Sequence, residues 1–184
     1  MDSENPRDIF RFLNQDPRLG ERVYIHENAV VSGSVVLGDD VSVWPMSVVR
    51  GDVNHIEVGA RSNIQDGCIL HVTHEGPWRP EGLPLIIGKD VTIGHGVILH
   101  ACTIGDRCLV GMGAIVLDGA LLEPDSMVAA GAVVTPGKVV PSGTLWQGNP
   151  ARQARALTQK EIENLEYSAR HYVRLKDRYL KEWG

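Results

Sequence analysis

A mainly β fold is predicted: a parallel coil of stacked six-residue units followed by a C-terminal α-helix. Three observations predict it. Aliphatic residues recur every six positions, small residues recur four places after them, and the pattern turns helical beyond residue 150.

The aliphatic series starts at Ile25 and runs through Val31, Leu37, Val43 and Val49. It resumes at Val58, Ile64 and Leu70, again at Ile87, Ile93 and Leu99, and continues from Ile104 through Val110, Val116, Leu122, Val128 and Val134. Four places after most of these stands a small or β-branched residue: Ala29, Val35, Val41, Ser47, Val53, Ser62, Cys68 and, further on, Cys108, Ala114 and Ala132. Six residues make one short strand and one corner. The aliphatic residue fills the axis and the small one fits inside the corner. Glycines just after the aliphatic residue, such as Gly38, Gly59 and Gly111, are expected to relieve the turn. Three such faces close a triangular coil, and coils stack at the ~4.8 Å strand spacing into a solenoid. A helix is excluded over this stretch because its period is 3.6.

One domain is expected over residues 1–184: an N-terminal segment 1–22, a β-helix over 23–150 and a helical segment over 151–184. Residues 72–86 break the period with three prolines and read as an excursion loop, a place where binding sites often form. Thr158 and Glu161 form a capping box, and Ile162, Leu165, Ala169, Tyr172, Val173, Leu175, Tyr179, Leu180 and Trp183 mark an apolar helix face. The net charge of −5 offers no footprint for nucleic acid and no basic tail for a membrane. No apolar run is long enough to span a bilayer, and the N-terminus does not read as a signal peptide, so a cytoplasmic protein is expected. Three cysteines without close pairs do not read as a disulfide framework or a cysteine zinc site.

The histidines carry the chemistry. His71 follows Leu70 and His100 follows Leu99, so both hold the same outward position, one coil apart. Imidazoles at one strand spacing can share a metal. His95 lies on the preceding face, roughly 15 Å of extended chain from His100, and is poorly placed to join them within one chain. Metal ligands must converge at ~2 Å. His95 of a neighbouring chain can join the pair if two β-helices pack side by side, which leads to a closed assembly with three-fold symmetry. Ordinary surface histidines are the plain alternative. His26, His55 and His171 show no alignment, and His74 lies in the excursion loop.

The stretch from Arg61 through Gln65 and Asp66 to His71, the preceding Arg50-Gly51-Asp52, and Gly94-His95 through His100 resemble the core motifs of gamma-class carbonic anhydrases. The resemblance covers most of the chain, and Tyr167-Ser168-Ala169 is similar to the small bacterial branch of that family. It implies a left-handed β-helix, a homotrimer, and zinc (or iron or cobalt) held by His71, His100 and a neighbour's His95. It implies that Gln65 serves the metal-bound water, that Arg50, Asp52 and Asp66 form a polar cluster at the subunit interface, and that Tyr167 belongs to the site. The implied reaction is reversible hydration of carbon dioxide to bicarbonate by a zinc-bound hydroxide.

The sequence departs from the family at two places: Val53 stands where one glutamate follows the aspartate, and His74 stands where the loop carries its proton-shuttle glutamate. Histidine can relay protons and valine cannot. Metal binding is therefore better supported than fast hydration. Two other readings stay open. One is an acyltransferase or acyl-CoA thioester hydrolase on the same scaffold, suggested by Gly148-Asn-Pro-Ala-Arg152. The other is a catalytically silent metal-binding trimer.

Overall fold

The computed structural model describes residues 9, 10, 12 and 15–183. Residues 1–8, 11, 13, 14 and 184 of the expected terminal segments lie outside the described residues, as does the side chain of Trp183. Along one face, strands Tyr24–Ile25, Ser42–Val43, Asn63–Ile64, Thr92–Ile93, Leu109–Val110, Met127–Val128 and Thr144–Gly148 pair in parallel, one per coil. A second sheet supplies the other two faces, because Val30–Leu37 and Val48–Val58 run round the corner between them. The result is a parallel β-helix of about seven turns.

Its axis is filled as the six-residue period requires. Val31, Val43, Ile64, Leu70, Ile93, Leu99, Val110, Leu122 and Val134 are buried, and Val140 extends the series. Ile25, near the N-terminal end of the stack, is only half-buried. The small positions are buried too, including Ser47, Ser62, Cys68 and Cys108. Burial pushes the Cys68 thiol up to about 12, which keeps it protonated and inert. Val53 is the exception, at 45% exposure. Gly33 pairs with Gly51, but Val35 pairs with Ile56, so residues 52–55 loop out and Ile56 takes the inward place.

The glycines act differently from the expectation. Gly59 and Gly111 have ordinary φ; a Cβ on Gly59 would lie 2.6 Å from the Gly88 carbonyl carbon of the next coil, and one on Gly111 2.5 Å from the Ala130 nitrogen. They are there for close approach between coils. Left-handed turns at one corner are made by Arg22, Asp40, Arg61, Asp90, Arg107 and Asp125, one per coil. A side chain in that conformation costs about 1–2 kcal/mol. The column offsets part of this by alternating sign. Each arginine forks onto the aspartate of the next coil: Arg22 onto Asp40, Arg61 onto Asp90 at 2.7 and 2.7 Å, and Arg107 onto Asp125 at 2.7 and 2.8 Å. Arg22 holds the Asp40 carboxyl below its usual range.

The excursion is a hairpin, with Thr73 bridged to Leu83 and Gly76 to Arg79. Trp78 at its tip is 93% exposed. It is shorter than expected, because Leu85–Ile87 is already a strand of the coil. The segment after residue 150 also differs: Ala151–Ala156 forms a strand antiparallel to Thr144–Gly148, and Gly148-Asn-Pro-Ala-Arg152 makes the turn out of the coil. Helix α1, Gln159–Trp183, follows. Its start is the capping box: Thr158 N donates to Glu161 Oε2 at 2.8 Å and Glu161 N donates to Thr158 Oγ1 at 3.3 Å. The helix packs on the strands at 42–43, 63–64 and 92–93, burying Leu165 and Ala169 and setting Tyr172 and Tyr179 edge-to-face against Trp44. Lys176 is fully buried and reaches Asp40 of the charged column at 2.9 Å. No described helix is long and apolar enough to cross a membrane.

Candidate metal centre

His71 and His100 are direct register partners on neighbouring strands. Nδ1 of His71 faces Nε2 of His100 at 3.2 Å. The outer nitrogens meet carboxylates: His71 Nε2 lies 2.9 Å from Asp52 Oδ1, and His100 Nδ1 is bonded to Asp118 Oδ1. A carboxylate only accepts, so both outer nitrogens carry the proton. With both rings neutral, the two inner nitrogens present lone pairs to each other. That arrangement is repulsive unless a proton or a metal cation lies between them. A tetrahedral ion with ~2.0–2.1 Å bonds to nitrogen separates its ligands by about 3.3 Å, so the pair fits a metal such as zinc.

The pair belongs to a column that runs Asp52, His71, His100, Asp118, one residue from each of four consecutive coils. Arg50 donates to the other oxygen of Asp52. Burial by itself would raise the Asp52 pKa, but the hydrogen bonds from His71 and Arg50 outweigh it and hold the carboxyl low. Thr73, at the root of the hairpin, donates from Oγ1 to Asp118 Oδ1 at 3.3 Å.

His95 stands at a different corner, between Gly94 and Gly96. Its Nδ1 lies 2.7 Å from Asp66 Oδ2, which leaves Nε2 as an acceptor. Beside Asp66, Gln65 is 5% exposed and donates from Nε2 to Asn63 Oδ1 at 3.1 Å. Asn63 donates to Thr92 Oγ1 at 3.2 Å, and Thr92 donates to Ser168 Oγ of α1 at 3.1 Å. The sequence-predicted residues thus fall into two half-sites, one with His71, His100, Arg50 and Asp52, the other with His95, Asp66 and Gln65. Among the described residues no three histidine, cysteine or carboxylate groups in one chain converge on a metal position.

Two of the sequence-predicted residues sit apart from both groups. The His74 imidazole lies over Gly76 in the hairpin. Tyr167 is exposed on α1, stacked with His171 and under Arg174. The neighbouring Ser168 is the helix residue that meets the Gln65 chain. A polar cavity of about 320 Å³ opens beside Asp52, lined also by Val53, Asn54, His55, Glu75 and Glu81. Sequence reasoning missed Asp118, Thr73, Asn63 and Ser168. Asp118 had a signal: it is 18 residues, one regular coil, beyond His100.

Comparison with known proteins agrees with this architecture. The family model described as "Bacterial transferase hexapeptide (six repeats)" matches residues 16–51, and "Hexapeptide repeat of succinyl-transferase" matches residues 102–136. The chain is 52% identical to the protein YrdA of Escherichia coli (strain K12), over 96% of this chain and 92% of that one. It is 46% identical to the probable carbonic anhydrase of Methanocaldococcus jannaschii, over 86% of this chain and 96% of that one. A crystal structure of a hexapeptide transferase family protein from Anaplasma phagocytophilum superposes with a TM-score of 0.85 at 44% identity, covering 92% of this chain and 96% of that one. The fold defines a hexapeptide-repeat protein that carries a pair of carboxylate-backed histidines on neighbouring strands. The chain belongs to the gamma-carbonic-anhydrase-like family.

Proposed function

We propose that the protein is a metal-dependent carbonic anhydrase of the gamma class, interconverting carbon dioxide and bicarbonate at sites shared between neighbouring chains of a homotrimer. The observation that carries this reading is the facing of two imidazole lone pairs at 3.2 Å, each ring backed by a carboxylate. His71 and His100 supply two ligands of a site. His95 of the next chain, also backed by a carboxylate and with Nε2 unused, supplies the third. Zinc, iron(II) or cobalt(II) suits three neutral imidazoles, and a metal so held supplies Lewis acidity that makes water a nucleophile at neutral pH.

The chain's own residues then do the rest. One amide hydrogen of Gln65 goes to Asn63 Oδ1, which orients the side chain so that its oxygen can accept a hydrogen from the reacting water. Arg50 and Asp52 hold His71, and Asp66 holds His95, in the tautomer each ligand needs. His74, exposed on the hairpin next to Thr73, is the group placed to exchange protons with solvent, while Tyr167 is stacked on His171 away from both half-sites. The trimer is supported by a ladder of outward aliphatic residues on the strands that carry the histidine pair. Val48, Ile69, Ile98, Ile115 and Val133 stack in register, and Ile69 is 47% exposed in the single chain.

The transferase wording of the matched family models supports a second reading, an acyltransferase or acyl-CoA thioester hydrolase. A lone histidine base would serve that chemistry, so the doubled histidines favour the first. Stopped-flow carbon dioxide hydration beside metal quantification decides. Activity that tracks metal occupancy and is lost in His100→Ala is expected. Full occupancy without hydration would sink the anhydrase reading. Turnover of acyl-CoA by that protein would then establish the second, and turnover of neither would leave a silent metal-binding trimer.

A further inference from the structure

We infer that Asp118, tied to the excursion hairpin through Thr73, is the positioning residue that aims His100 at the metal and sets the affinity of the site; the inference rests on the metal-binding reading above. Asp118 Oδ1 accepts from His100 Nδ1 and from Thr73 Oγ1. The first bond keeps the proton on Nδ1 and turns Nε2 toward His71. Without it the ring can rotate or change tautomer, and Nε2 loses its lone pair to a proton.

The second bond brings in the hairpin. Thr73 is held on three sides: its nitrogen and carbonyl pair with Leu83 at 3.0 Å each, and its carbonyl also takes the Asn54 amide at 3.2 Å. Its hydroxyl is therefore delivered to Asp118 by the closed root of the hairpin. The two carboxylates of the column differ in setting. Asp52 shares its charge with Arg50, whereas Asp118 has a neutral hydroxyl as its second partner. More of its charge is left to make His100 a strong donor to a cation.

The test is zinc affinity, measured by competition with a chromogenic chelator on the full-length protein, with unfolding temperature of the metal-free protein and oligomeric state followed in parallel. Asp118→Ala is expected to weaken zinc binding by roughly ten- to a hundredfold. Asp118→Asn keeps the shape and is expected to lose less. Thr73→Val is expected to weaken binding by several fold and Thr73→Ser to restore it. Cobalt-loaded Asp118→Ala should show a shifted visible spectrum, which a purely structural role would not produce. Wild-type affinity in both Asp118 variants overturns the inference while leaving the metal reading intact. Absence of zinc binding by the wild type overturns both. Equal losses in Thr73→Ser and Thr73→Val overturn the part given to the hairpin.

Discussion

At the scale of single residues, the site depends on lone pairs and protons in fixed places. Because each imidazole has one nitrogen held by a carboxylate, His100→Ala removes one of the two facing nitrogens. Under the proposed function, this variant is expected to retain its fold but lose bound zinc and at least ~100-fold in hydration rate, read by metal analysis and stopped flow. Packing makes a second prediction. Gly59→Ala would press a methyl into the Gly88 backbone, and about 1–3 kcal/mol of destabilisation is expected in denaturant unfolding. The histidine column was legible because an imidazole one coil from another stands out in a six-residue frame. Asp118 obeys the same count, but an aspartate on a surface strand is unremarkable until it is seen against His100. Val53 was misplaced for a different reason: residues 52–55 add length at a corner without disturbing the identity of the residues around them.

At the scale of elements, the helix cap gives a pH-dependent prediction. Arg155 forks onto Glu161, and Thr158 donates to it as well, which holds that carboxyl down at about 2. Its folded-state pKa lies below the unfolded value, so the cap's contribution is complete above the ordinary glutamate range. It is lost as pH falls from about 4.5 through about 2. Carboxyl chemical shifts followed by NMR should show Glu161 titrating at the bottom of this window, and helix circular dichroism of Glu161→Gln should lack the acid step. A Glu161 that titrates like an exposed glutamate would refute it. The cap was readable as T-x-x-E, a local signal. The chain from Gln65 to Ser168 was not, because it joins residues about a hundred positions apart through a packing geometry that no spacing rule encodes.

At the scale of the whole molecule, the coil was the most legible feature, since each repeat buries its aliphatic residue against the next and any lapse would show as an exposed position. The site proposed at the interface between chains makes a prediction that no single chain can satisfy. His71→Ala and His95→Ala chains are each expected to be inactive alone. Refolded together in equal amounts, they should recover about a quarter of wild-type activity, because every mixed three-fold ring holds one interface with all three histidines. No recovery, with mixed assemblies confirmed by mass, would show that each site is built from one chain.

The charged corner has a further consequence, for how such a molecule can grow or shrink. From Arg22 to Asp125 the sign alternates with every coil. Removing one coil from the middle would set like charges side by side, whereas removing two would restore the alternation. The column therefore distinguishes odd from even changes in coil number. At this corner, duplications or deletions of an even number of coils are expected to cost less than single-coil changes, which bring like charges together unless a charge is reversed.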